Sequence, residues 1–401
     1  MKKVLILFLS IFFTFSLKSQ DVNYDDILGG NLNTITTAVP FLLISPDSRS
    51  GAMGDVGVAT SPDAASMHWN PAKLSFTNDD IGVSVSIVPW LRELVPDISL
   101  QYIGGYYKLN NNEALGYELR YFSLGDITFT DNTGNVIGQY KPNELALGTS
   151  YSRKLSRDFS IAISGRYIYS NLTGGQSASG TETIAGQSIA ADISTFYTKP
   201  ISIADNKSDL SFGMNISNIG NKISYTETIT RDFIPINLRL GTDLTTEIDE
   251  YNKFSFAIDL NKLLVPSPPL YDENGDMIAG KDPEVSVVSG MFQSFGDAPG
   301  EIDENGDPVP GSIFKEEMRE INISTGFEYW YANQFALRAG YFHEHDTKGG
   351  RRYLTFGSGV KYNVFALDFS YLISTSNIGG SNPLANTMRF TLVFDLGSMG
   401  N

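Results

Sequence analysis

Residues 254–261 read Phe-Ser-Phe-Ala-Ile-Asp-Leu-Asn, so that apolar and polar side chains alternate one by one. Successive side chains of a strand point to opposite faces, and this stretch therefore predicts a strand with one apolar and one polar face. The same pattern recurs at 335–341, 365–371 and 389–396. In a soluble sandwich the apolar faces would meet each other. In a membrane barrel the apolar face meets lipid and the polar face lines the lumen.

Connection lengths distinguish these two architectures. The pattern predicts strands near 81–89, 98–108, 113–123, 143–153, 159–170, 189–199, 209–218, 235–246, 253–264, 320–329, 334–342, 353–362, 364–373 and 386–395. Tight connections alternate with long ones, the longest being 265–319. Short periplasmic turns and longer external loops produce this alternation, and an even strand count keeps both termini periplasmic. We therefore expect an all-β fold, a transmembrane outer-membrane β-barrel of about 14 antiparallel strands.

The composition agrees with an exported protein. Residues 1–20 combine two early lysines with an apolar block at 4–17, which predicts a secretory signal peptide cleaved near Ser19 or Gln20. The chain contains 0 Cys, which excludes a lipid-anchored cysteine and disulfides. The 20 Tyr and 25 Phe suit aromatic belts at the two membrane interfaces. A net charge of -16 argues against a nucleic-acid partner.

Residues 49–76 do not alternate and are rich in Gly, Ala and Ser. We interpret this stretch as a plug, or hatch, inside the barrel, because glycines allow a chain to coil close to a wall and Asn-Pro ends a segment with a turn. The resulting domain division is an arm and lumen plug over 21–80 and a barrel over 81–396. The plug motif consists of Arg49, Gly51, Gly54, Gly57, Trp69, Asn70 and Pro71.

Charged residues at predicted inward positions could line a permeation path or pair across the lumen and hold the plug. Pairing is favoured, because an unpaired charge away from water is costly. No set of Ser, His and carboxylate stands out, so no catalytic residue and no cofactor is predicted. The inward charges are Arg166, Arg239, Arg338, Arg389, Asp259 and Asp368.

Acidic turns and histidines raise the question of a metal site. Residues 131–135, 272–276 and 303–307 share an Asp/Asn/Gly-rich design that suits either a calcium loop or a hairpin tip. The tip is favoured because the full twelve-residue calcium pattern is missing. His343 and His345 have no third ligand in view, and His68 in the plug is expected to be packed and hydrogen-bonded. We predict no metal.

The loop at 89–96 carries apolar residues between two prolines, at the external end of the first two strands. An exposed apolar patch indicates a partner or a ligand, and a lid over the barrel mouth is the alternative. The candidate partner-binding residues are Trp90, Leu91, Leu94 and Val95.

Two motifs carry a family resemblance. Trp69-Asn70-Pro71-Ala72 before a barrel resembles the hatch of FadL-type outer-membrane proteins. The longer motif at 49–59 with 63–66 and 69–74, together with Pro89-Trp90-Leu91 and the ending 389–392, resembles the PorV family of the Bacteroidetes type IX secretion system.

The PorV resemblance implies a secretion component that is not itself the conduit. Such a protein would capture exported cargo by its C-terminal signal domain as the cargo leaves a large outer-membrane translocon protein. It would then pass the cargo to the surface attachment complex, while its outer surface meets outer-membrane lipid. The alternative is a FadL-like transporter of hydrophobic small molecules. A lipid A esterase is a third class, for which no nucleophile and base are visible.

Overall fold

The computed structural model describes residues 32–91, 97–130, 133–175, 183–226, 231–272, 274–301, 303, 309–375 and 386–397. The predicted signal peptide at 1–20 lies outside these residues, as do Leu94 and Val95.

Fourteen antiparallel strands form a closed barrel, which confirms the predicted architecture. The barrel closes where the first strand pairs with the last, from Ile81 opposite Leu396 to Ile87 opposite Phe390. Its strands are β1 (Ile81–Pro89), β2 (Ser99–Asn110), β3 (Glu113–Ser123), β6 (Asn143–Lys154), β7 (Phe159–Asn171), β8 (Gly186–Ile203), β9 (Asn206–Gly220), β10 (Asn237–Glu247), β11 (Asn252–Leu263), β14 (Asn322–Tyr331), β15 (Phe335–His343), β16 (Arg352–Tyr362), β17 (Phe365–Ser374) and β18 (Met388–Leu396).

Two small hairpins and several short helices complete the structure. The hairpins are β4 (Ile127–Thr130) with β5 (Val136–Tyr140), and β12 (Leu270–Tyr271) with β13 (Met277–Ala279). The α-helices are α1 (Ser48–Gly51), α2 (Ser66–Trp69), α3 (Val287–Gln293) and α4 (Ser312–Arg319); the 3-10 helices are η1 (Pro40–Leu43), η2 (Pro71–Phe76) and η3 (Asp346–Lys348). Across the described ranges, no helix has both the length and the hydropathy to cross a membrane.

The two ends of the barrel differ in their connections. At one end the turns are tight, as at Ala204–Asp205 between β8 and β9. At the other end lie the small hairpins, α3 and α4. On a bacterial barrel the tight turns face the periplasm and the elaborate loops face outward. The sequence predicts the strands well but not these loop elements.

The two faces of the wall are distinguished by burial. On β7, for example, Ser160, Ala162 and Ser164 are buried, whereas the intervening Ile163 is exposed. The exposed set is the lipid-facing surface, because a barrel in a membrane directs its apolar face to the acyl chains.

Residues 33–80, called the plug from here on, fill the lumen. Their hydrogen-bond partners lie on strands all around the barrel. Ser48 N donates to Thr391 Oγ1 on β18 (2.8 Å), Gly54 N to Thr355 Oγ1 on β16 (2.8 Å), and Asn215 Nδ2 on β9 to Trp69 O (3.0 Å). A segment that reaches opposite walls in this way must lie inside.

Candidate functional site

Asp47 ties the two α-helices of the plug together. Its Oδ2 accepts a hydrogen bond from Ser50 N (2.8 Å) and so caps α1, since an Asp at the N-cap satisfies a free N–H. Its Oδ1 accepts from Trp69 Nε1 at the end of α2 (2.7 Å). Asp47 was not among the predicted site residues, although its place immediately before a Ser-Arg-Ser-Gly run is a capping signal.

The glycines of the plug motif are required by close approach. Gly54 has φ +70, and a Cβ there would lie 2.6 Å from Tyr341 N on β15. A Cβ on Gly57 would lie 2.3 Å from the ring of Trp69, and one on Gly51 would lie 2.6 Å from Arg389 Nη1. A larger residue at Gly54 would push the plug off the backbone of β15. One at Gly57 would displace Trp69 within the plug, and one at Gly51 would require the Arg389 side chain to move.

Asn70 and Pro71 end α2 and start η2. Asn70 Oδ1 accepts from Ala72 N (3.1 Å), while its Nδ2 donates to Val58 O (2.9 Å) and to Thr195 O on β8 (2.9 Å). Pro71 occupies the first turn of η2, where its missing N–H costs nothing. The side chain of Asn70 therefore connects the turn, the preceding loop and the barrel wall.

Arg49 connects the plug to β14. Its Nε and Nη2 donate to the two carboxylate oxygens of Glu328 (2.9 and 2.7 Å), which is the bidentate geometry that suits a guanidinium. Its Nη1 donates to Asp63 Oδ2 within the plug (2.8 Å). Glu328 also accepts from Arg338 Nε (2.7 Å), and Arg338 Nη1 donates to Asp368 Oδ1 (2.6 Å).

A second charged cluster lies on β3, β7 and β8. Arg166 Nε donates to Glu118 Oε1 (2.8 Å), and Arg166 Nη2 pairs with Asp192 Oδ2 (3.0 Å). Arg120 Nη2 pairs with Glu118 Oε2 (2.8 Å) and lies 2.5 Å from Nδ1 of His68 in the plug. All of these side chains are buried. Their charges are compensated by direct pairing, as buried charges require.

The remaining predicted lumen charges contact the backbone or rings of the plug. Asp259 Oδ2 accepts from Gly57 N (2.7 Å) and Val58 N (3.0 Å). The guanidinium carbon of Arg239 lies 4.9 Å from the Trp69 ring centroid. Arg389 Nη1 donates to Gly51 O (3.3 Å). These three side chains therefore face the plug and bind it directly.

The lumen is layered along the barrel axis. Beneath the plug, toward the tight turns, lies a cavity of about 790 Å³ whose lining includes Asp79, Arg157 and Asp395. Above the charged clusters, toward the long loops, buried apolar side chains of the wall pack on Phe41 and Leu42 of η1; they include Leu100, Phe122 and Ile168. The chain's own N-terminal segment thus occupies the apolar mouth.

Trp90 and Leu91 of the predicted docking loop are partly buried and pack against this apolar mouth. Trp90 N also donates to Ile98 O (3.0 Å), which closes the base of the loop. The structure therefore places these two residues over the mouth and next to the external surface.

The longest external loop is held to the barrel by buried ion pairs. Lys262 Nζ at the end of β11 bonds Glu317 Oε2 (3.0 Å) and Glu320 Oε2 (2.6 Å). Lys348 Nζ in η3 bonds Glu316 Oε1 (2.7 Å) and Glu320 Oε1 (3.0 Å). These pairs fix α4 on the rim of the barrel.

The burial of Asp297 predicts that the stability of this loop depends on pH. Burial, with weaker contributions from the charges of Glu317 and Glu320, raises the pKa of Asp297 to about 6. An acid whose pKa is higher in the folded state than the ordinary 3.8 stabilises that state at low pH, and loses this contribution as pH rises through the folded pKa. The loop should therefore resist protease better at pH 5 than at pH 7.5. The Asp297→Asn variant lacks this carboxyl, so its protease resistance should be similar at the two pH values. If the resistance of the variant still fell between pH 5 and pH 7.5 as in the unmodified protein, Asp297 would not be the group responsible.

Of the positions considered for a metal site, the turn at 272–276 and His345 have structural roles. Asp272 Oδ1 accepts from Asn274 N (2.9 Å) and Asp276 N (2.8 Å) at the tip of the β12–β13 hairpin. Residues 133–135 lie at the tip of β4–β5, whereas Asp131, Asn132 and 304–307 are outside the described residues. His345 caps η3. In the part of the chain that the structure describes, no group of three or more His, Asp or Glu could hold a metal ion.

Comparison with known proteins gives one family match and several structural similarities. The family model "Type IX secretion system protein PorV" matches residues 29–270. No curated protein matches the chain.

The similar solved structures include the toluene transporter TbuX of Ralstonia pickettii, at 10% identity over 91% of this chain and 98% of that chain, with a TM-score of 0.47. They also include a FadL homologue of Pseudomonas aeruginosa, at 10% identity over 90% of this chain and 99% of that chain, with a TM-score of 0.43.

Proposed function

The chain belongs to the PorV family of type IX secretion system proteins, and from this premise we propose that it binds secreted cargo at the cell surface. It is an outer-membrane component of that system. In the proposed mechanism it takes the folded C-terminal signal domain of an exported protein as this leaves the large translocon protein. It then carries the cargo to the surface attachment complex.

The observation that best supports a carrier rather than a conduit is the filled lumen. Arg49 is bonded to Asp63 in the plug and to Glu328 in the wall, and Asp259 holds the backbone of Gly57 and Val58. Releasing the plug would break the buried Arg49–Glu328 pair and leave the buried carboxylate of Asp259 without its two backbone donors, which is costly. A protein with its lumen sealed in this way acts through its outer surface, and its elaborate external loops supply that surface.

The first test is an affinity purification of the tagged protein from outer membranes in mild detergent, followed by mass spectrometry. We expect to recover a very large outer-membrane protein and exported proteins that share a C-terminal domain. Recovery of the barrel alone, with bound fatty acid or other apolar molecules, would overturn the proposal.

We further propose that the 89–96 loop contributes to docking. The double substitution Trp90→Asp, Leu91→Asp should weaken binding of a purified C-terminal signal domain by about tenfold or more, because aromatic anchors often carry ~2 kcal/mol of an interface. The measurement is a titration with the barrel held in nanodiscs, after a heat-modifiability gel has shown that it is folded.

The control is Ile127→Asp, Val136→Asp on the β4–β5 hairpin, where two apolar side chains of an external loop are exposed rather than packed on the mouth. This control should bind as the unmodified protein does. Equal weakening in both double variants would show that added negative charge, and not the 89–96 loop, causes the loss.

A FadL-like transporter is the second candidate, and one observation favours it: the external mouth of the lumen is lined with apolar side chains, among them Phe122 and Ile168. Uptake of hydrophobic molecules should then fall in a deletion strain. Uptake at the level of the parent strain would remove this candidate.

A further inference from the structure

Helix α4 is amphipathic in the reverse sense to an ordinary surface helix. Its charged residues Glu316 and Glu317 face the protein and are buried. Its apolar residues point away, with Ile313 exposed by 41%, Phe314 by 70% and Met318 by 47%. A helix in contact with water alone would present the opposite arrangement.

The position of Lys262 shows on which side of the wall α4 lies. On β11, Asp259 faces the lumen, where it bonds Gly57 N (2.7 Å), so the intervening Ile258 and Leu260 face outward. The pairing of β10 with β11 runs without a register shift as far as Leu263. Lys262 therefore shares the outward face with Leu260, since side chains alternate along a strand. Because Lys262 bonds Glu317 and Glu320, α4 lies against the outer surface of the rim.

The depth of α4 follows from the length of the strand. The part of β11 that runs from the outward Phe254 to Lys262 contains nine residues, with both ends counted. A tilted strand needs about 9–11 residues to cross the hydrocarbon core. Lys262 is therefore at the external edge of the apolar belt, and α4 is at the level of the lipid headgroups.

Two exposed phenylalanines belong to the same external loop as α4, and one of them lies close to its anchor Lys262. Phe295 is 55% exposed and its ring centroid lies 5.9 Å from Lys262 Nζ. Phe292 in α3 is 78% exposed, whereas Val287 and Met291 of the same helix pack on the apolar mouth. The exposed apolar face at the rim thus continues from the lipid-facing surface of the barrel.

We propose that this face inserts into the outer leaflet of the membrane, with Phe314 and Met318 of α4 and Phe295 after α3 at the headgroup–acyl boundary. Continuity with the lipid-facing wall selects lipid as the occupant. An interfacial amphipathic helix buries its apolar side about 5–10 Å into this boundary. The ion pairs of Lys262 and Lys348 hold the helix on the rim and leave its apolar side to the lipid. This membrane contact does not depend on the proposed binding of cargo.

Spin labelling tests the depth directly, because the chain contains 0 Cys and a single introduced cysteine reports one site. Phe314→Cys, nitroxide-labelled and folded into phosphatidylcholine–phosphatidylglycerol nanodiscs, should be more accessible to oxygen than to a water-soluble nickel chelate. The resulting depth should be roughly 5–10 Å below the headgroups.

Two reference sites calibrate the result. Leu240→Cys labels the outward face of β10 within the belt, and Val136→Cys labels an exposed hairpin in an external loop. A heat-modifiability gel establishes that each labelled barrel is folded. A label at 314 that behaves as the one at 136 overturns the proposal, and its later immobilisation by an added protein would assign the face to a protein partner instead.

Discussion

Replacing Gly340 by Val is expected to loosen the plug where Met53 and Gly54 pack on β15, while the barrel remains folded. Gly340 faces inward on β15, and a Cβ there would lie 2.1 Å from Gly54 N and 2.1 Å from the carbonyl carbon of Met53. Both atoms belong to the backbone, so no rotamer change can relieve the clash. Overpacking typically costs about 1–3 kcal/mol, and a clash with backbone atoms lies at the upper end of that range. The strand itself tolerates the change, because Val favours β structure.

Limited proteolysis of the folded barrel in detergent measures this effect. In the Gly340→Val variant the plug should be cleaved within residues 33–80, whereas the strands remain intact on a heat-modifiability gel. Gly165→Val is the matched control, since a Cβ at Gly165 on β7 meets nothing within 4 Å. Equal protection of the plug in both variants would contradict the close packing of Gly54 against β15.

The barrel was predictable because each strand carries its own signal. Alternation along 254–261 already separates the outward Ile258 from the inward Asp259, and the same two-residue period marks 335–341, 365–371 and 389–396. The predicted ends differ from the observed ones by a few residues, most at β8, which runs on to Ile203. The short helices were not predictable in this way. In α4 the buried Glu316 and Glu317 face the protein and the exposed Phe314 faces away, so the usual relation between polarity and exposure is reversed for these residues.

The candidate site was predictable only in part. The period of two identifies the inward face of a strand, and Arg166 and Arg338 were found on it. Glu118 on β3 and Glu328 on β14 also occupy the alternating positions that face the lumen. The two-residue period could therefore have identified them as well. Their pairing could not be identified in this way, since it depends on how the strands curve around the lumen and where the plug places Arg49. These distances are set by closure of the barrel, about which no local pattern carries information.

Replacing Glu328 by Ala should destabilise the protein by about 1.5–3 kcal/mol, the usual contribution of a hydrogen bond to a charged group, because Arg49 and Arg338 each keep a second carboxylate. Glu328 accepts one hydrogen bond from Arg49 Nη2 of the plug and one from Arg338 Nε of the wall. The donor–acceptor distance is 2.7 Å in both. Loss of Glu328 leaves Arg49 with Asp63, and Arg338 with Asp368. The two guanidinium groups would then repel each other across the interface between plug and wall.

The measurement is equilibrium unfolding in urea with the barrel in lipid vesicles, compared with Glu247→Ala. Glu247 lies at the end of β10 in a solvent-exposed pair with Lys253 (3.8 Å), and exposed pairs contribute about 0–1 kcal/mol. A large difference between the two variants would mean that the lumen around the plug is dry enough for its charges to depend on direct pairing. Equal, small effects would mean that water solvates Arg49 and Arg338 in place of Glu328. Such a hydrated lumen would favour a permeation path beside the plug over a plug held by its charges.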